Sequence, residues 1–74
     1  MDLYRAYTIG IRQEDLLEAM KIILEYERNF DKITRSTHRA SNGDVVVVYC
    51  FRPYVYDDFE TIRREFIQAG IQIL

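Results

Sequence analysis

One cysteine, one proline and three glycines are all that this 74-residue chain holds of the residues that staple or interrupt a fold. A lone Cys50 excludes an internal disulfide, and no cluster of cysteine and histidine offers a zinc site. The scarcity of glycine and proline argues against disorder, and there is no repeat, linker or low-complexity stretch. Net charge is also lacking, with twelve acids against ten bases and a formal value of -2. Without a global basic field, binding to nucleic acid or an anionic membrane would need a local patch. No run approaches the roughly 20 apolar residues of a membrane span, and MDLYRAYTIGIRQ lacks the basic and apolar regions of a leader. These features set the expectation of a soluble cytoplasmic protein in a reducing compartment, with residues 1–74 as a single domain. Chains of this size bury only about 60 % of their unfolded surface, so an efficient core or self-association must supply stability.

Several segments have a clear period. LYRAYTIGI, residues 3–11, is rich in aromatic and β-branched types and reads as a strand. From Gln13 to about Arg28 the apolar residues Leu16, Leu17, Ala19, Met20, Ile22, Ile23, Leu24 and Tyr26 fall on a helical arc of roughly 220°. Glu18, Lys21, Glu25 and Arg28 fill the rest as a solvated face. DKITRSTHRA, residues 31–40, is a more polar strand. Asn42-Gly43 then predicts a two-residue type I′ hairpin turn. Residues 44–52 return as a valine-rich strand that Pro53 ends. A second helix is expected from Asp57 or Asp58 to Ala69, with Asp57 as cap, Glu60 in capping-box spacing and a stripe of Phe59, Ile62, Phe66 and Ala69. Gly70 suits the left-handed position of a Schellman closure that brings Ile71 towards Phe66. The closing IQIL reads as a short strand.

Strand, helix, strand, strand, helix, strand is the order of an α+β ferredoxin-like plait. It predicts a four-stranded antiparallel sheet, order 4-1-3-2, with both helices on one face.

The two-residue turn would pair Ala40 with Val45 and Ile33 with Arg52. His38, Ser36 and Thr34 would then share a face with Val47, Tyr49 and Phe51, while Arg35 and Arg39 would share the other with Val46, Val48, Cys50 and Arg52. Arginines are costly beneath helices, so the odd-numbered residues of the third strand should face the core. The open face becomes an aliphatic floor of Val46, Val48 and Cys50 with a rim of Arg35, Arg39 and Arg52. Tyr7, Ile9 and Ile11 should join the core and leave Tyr4 outside. The competing parity exposes Tyr7 and buries Ala6 and Thr8. A patch of a few hundred Å² of this kind often marks a contact surface.

No nucleophile with a base and no paired carboxylates assemble into a catalytic site. Asp57 and Asp58 are adjacent and are better explained by the helix start. His38 lacks a second ligand, and no cofactor is implied. FRPYVYDDF, residues 51–59, holds Tyr54 and Tyr56, a type enriched in contact surfaces. Tested against the strand-three signature of the RNA recognition motif, Asp44 and Val46 occupy the two base-stacking positions, and neither stacks a base. The leading expectation is a non-enzymatic adaptor or inhibitor that binds protein, and a second copy of itself, through the open sheet face or the first helix. Its contact residues would be Tyr4, Arg35, Arg39, Val46, Val48, Arg52, Tyr54 and Tyr56. An RNA-binding module and a designed fold without biochemical activity are the alternatives.

Overall fold

The computed structural model describes residues 5–74. Strand β1 spans Tyr7–Arg12, helix α1 Leu16–Tyr26, strand β2 Phe30–Arg39, strand β3 Val45–Pro53 and helix α2 Tyr56–Gln68. Single 3-10 turns, Gln13–Asp15 and Glu27–Asn29, flank α1. Tyr4 lies outside the described residues.

β3 is the central strand, antiparallel to both neighbours in the order β1-β3-β2. Its valine-rich sequence suits that place, since a central strand is covered on both edges and packs β-branched side chains well. Val47, Tyr49 and Phe51 are buried, and the β1 register puts Ile11, Ile9 and Tyr7 beside them on the same face. Ala19 and Ile23 of α1 and Phe59, Ile62 and Phe66 of α2 complete one core with them, so both helices cover that face. Tyr7, as expected, packs inward, with its ring 5.0 Å from that of Phe59.

Among the described residues the sheet has three strands, which corrects the four-stranded plait in the order 4-1-3-2. Residues 71–74 lie beside β1 but form no strand, and Leu74 gives the one backbone bond, its N–H donating to Gly10 C=O at 2.9 Å. The tail has other work. Gly70 takes φ +84°, the Gly70 amide bonds Ile67 C=O and the Ile71 amide bonds Phe66 C=O, both at 3.0 Å. This is a Schellman closure, and it commits the buried Ile71 to the helix end. Too few residues remain to build a ladder.

The hairpin register also differs from expectation, by one residue. The Ala40 amide donates to Asp44 C=O at 2.7 Å and the Gly43 amide to Ala40 C=O at 2.9 Å, so the loop is Ser41-Asn42-Gly43. Gly43 alone adopts positive φ, +92°, whereas a type I′ turn would require it of Asn42 too. Arg39 therefore pairs with Val45, Thr37 with Val47 and Arg35 with Tyr49. A one-residue slip moves every side chain of β2 to the other face. Arg35 and Arg39 thus lie on the helix side, while His38, Ser36 and Thr34 join Val46, Val48 and Cys50 on the open side. The arginines escape burial because β2 is the edge strand and stands beyond the helices, where Thr34–Arg39 are all exposed. A bulge between Phe30 and Lys32 restores parity at the start of β2 and lets Phe30 turn into the core against Phe51.

The start of α2 is a third correction. Val55 occupies the cap position without a side-chain bond, and Asp57 and Asp58 sit in the first turn, where the helix dipole favours acids.

Candidate protein-docking surface

α1 uses less of its apolar arc than the sequence supplies. Ala19 and Ile23 point to the sheet, and Tyr26 reaches α2, where its hydroxyl donates to Glu65 Oε1 at 3.2 Å. That orientation leaves Leu17, Met20 and Leu24 on the outer side, 73 %, 40 % and 67 % exposed. The three are spaced by three and four residues and so form one stripe.

The stripe runs into a groove of about 390 Å³ between α1 and β2, lined by Met20, Ile23, Leu24, Glu27, Ile33 and Arg35 among others. The corrected register creates this groove, because it turns Ile33 and Arg35 towards α1. Arg35 Nη1 lies 3.7 Å from Met20 Sδ, and among the described residues no carboxylate comes within 4 Å of Arg35, Arg39 or any other base of β2. Glu27 on the opposite wall is likewise in no ion pair among the described residues. β2 itself borders the sheet, so its outer backbone groups meet no strand among the described residues.

The open sheet face is a different surface. Val46, Val48 and Cys50 are half-buried in the middle of it, ringed by Thr8, Arg12, Thr34, Ser36 and His38. Ser36 Oγ and His38 Nε2 are 2.9 Å apart, and Arg52 lies 3.5 Å from Asp31. The aliphatic floor is therefore small and its surround polar. Cys50 lines a shallow recess of about 110 Å³ with Ala6, Lys32, Thr34 and Arg52. None of the described residues on this face is Phe or Tyr, and His38 is its one aromatic ring.

Tyr54 and Tyr56 occupy a third place, at the start of α2. The Tyr56 hydroxyl donates to Glu60 Oε1 at 2.7 Å, and its ring meets Tyr7 edge-on at 5.0 Å. That hydrogen bond, with partial burial, raises the Tyr56 pKa above its ordinary value. Desolvation and the nearby Glu65 carboxylate do the same for Tyr26. Arg35, Arg39, Val46, Val48, Arg52, Tyr54 and Tyr56 are thus spread over three surfaces. Leu17, Met20, Leu24, Glu27 and Ile33 were not among the expected contact residues, although the overly wide arc of α1 carried the signal.

Among the described residues, no group of three metal-ligating side chains comes together, and no helix is long and apolar enough to cross a membrane. No protein-family model matches the chain, and no curated protein matches it. Its own geometry carries the functional reading.

Proposed function

We propose that this chain is a small, non-enzymatic protein-binding module acting in the cytoplasm, and that its contact surface is the α1–β2 side. The observation that carries the reading is the stripe of Leu17, Met20 and Leu24, exposed on one line of α1 and continuous with the groove floor. Exposed apolar side chains are ordinary when scattered, but a contiguous strip beside a concave floor is the form that contact surfaces take. Met20 adds adaptability, since a flexible thioether repacks against different partners.

This reading moves the site away from the open sheet face. The corrected register surrounds Val46 and Val48 with threonine, serine and histidine, and places no described Phe or Tyr there to form a stacking platform for bases. A photo-reactive residue placed at Leu24 tests the choice, with one at Val48 for comparison. Protein adducts formed from position 24 and suppressed by Leu17→Glu support the reading. Adducts formed only from position 48 overturn it.

A further inference from the structure

We propose that the α1–β2 side takes a second copy of this chain, with β2 pairing antiparallel to β2 about a twofold axis through Ser36 into a continuous six-stranded sheet. The proposal rests on the reading of this side as a docking surface and names its occupant.

Three features coincide at one border of the molecule. β2 is an edge of ten residues that no strand among the described residues covers, about 33 Å long at 3.3 Å per residue. α1 has eleven residues, about 16 Å, and its groove with β2 reaches only Ile33 to Arg35. Ser36 to Arg39 are exposed on both faces. A twofold axis at Ser36 sets this exposed half against the groove half of the other copy. Strands are spaced about 4.8 Å apart, so the adjoining strand lies directly beside the groove and extends its floor. Met20 and Leu24 of each copy then face Thr37 and Arg39 of the other across the joined groove.

The charges exclude the registers centred one residue to either side. Cations on an edge strand normally discourage pairing. Centring the pair on Arg35 would set that residue against itself, and centring it on Thr37 would set Arg35 against Arg39. Centred on Ser36, Arg35 faces Thr37, Arg39 faces Ile33 and Lys32 faces Ala40, so no two cations are directly opposed. Even-sum registers also keep both helical layers on one side of the joined sheet. Arg39 arrives beside the groove wall that holds Glu27 of the second copy, and each supplies the counter-charge that the other lacks within 4 Å among the described residues. The contact is self-complementary, as a twofold interface must be.

Sedimentation velocity of the intact chain over a range of concentrations is the first measurement, and a dimer is expected. Leu24→Glu should weaken that dimer by about tenfold or more while leaving the circular dichroism unchanged, because it puts a charge into the joined groove. Ser36→Cys in a Cys50→Ser background should cross-link to a dimer on oxidation, since residues directly opposite on paired strands have Cβ atoms about 4.5–5.5 Å apart. The wild-type Cys50 should not cross-link. A monomer at every concentration overturns the proposal, as does a dimer that cross-links through Cys50 and not through position 36. If the chain is monomeric yet position 24 still forms adducts with other proteins, the docking surface stands and the second copy falls.

Discussion

Asn42 Oδ1 accepts the Asp44 backbone N–H at 3.0 Å, and the Asn42 side-chain amide donates to Asp44 Oδ2 at 3.1 Å. This clamp closes the loop over Gly43, directly before β3, and supports the register that turns Arg35 towards α1. An Asn side chain bonding its own backbone two residues on is a frequent turn device.

The clamp makes the hairpin tip the place where register is tested. Asn42→Ala should cost about 1 kcal/mol, and Gly43→Ala about 1–2 kcal/mol because Gly43 is held at positive φ. Urea denaturation measures both, and wild-type stability in either variant would refute the role given to that residue.

The other two glycines should respond in opposite directions. Gly70→Ala forces a side chain into φ +84° and should lose about 1–2 kcal/mol. At Gly10 an added Cβ meets Leu74 Cβ and Val46 Cγ1 at 3.8 Å, which is ordinary contact. Gly10→Ala should therefore gain about 0.4–1 kcal/mol, chiefly by restricting the unfolded chain. Thermal melts of the pair give the sign directly.

Phe66 is fully buried where α2 meets the Schellman closure. Phe66→Ala should cost about 3–5 kcal/mol through lost transfer energy and a cavity. That is a large share of the roughly 5 kcal/mol expected of so small a domain. A folded variant with a melting temperature near the wild type would contradict the core described here.

The tyrosine hydroxyls tie stability to alkaline pH. Tyr26 has its pKa raised by desolvation and then by Glu65, and Tyr56 by its bond to Glu60 and then by desolvation. A phenol whose folded pKa exceeds its unfolded value of 10.0 contributes stability that is complete below pH 10 and lost as pH climbs through the folded value. Denaturant midpoints between pH 8 and 11 should fall, and less steeply in a Tyr26→Phe Tyr56→Phe double variant. An identical fall in both proteins would exclude this origin.

Much of the fold was legible because local chemistry and burial agree. The inward Tyr7 and the Gly70 closure each follow from one segment's own pattern, whereas the inward facing of Val47, Tyr49 and Phe51 held although the arginine register it was argued from did not. The register was not legible, because Asn-Gly serves two loop lengths, and what separates them is whether Ser41 belongs to the turn. That one residue reversed the facing of Arg35, Arg39 and His38 and moved Arg35 from the open face to the groove. The fourth strand failed for a related reason. IQIL alternates as a strand should, but pairing depends on how much chain is left after Ile71 has been drawn to the helix end. The exposed stripe of Leu17, Met20 and Leu24 was present only as an excess, an apolar arc wider than one sheet can cover.

The bond between the Leu74 amide and the Gly10 carbonyl is a seam with one stitch. Thr8 and Arg12 alternate with Ile9 and Ile11, so their amides point along the same border as Gly10, where no rung among the described residues holds them. Deuterium should reach those two positions much sooner than the amides of Ile9 and Ile11, which face β3. The outer margin of β1 is thus the quick-exchanging side of an otherwise well-laced sheet.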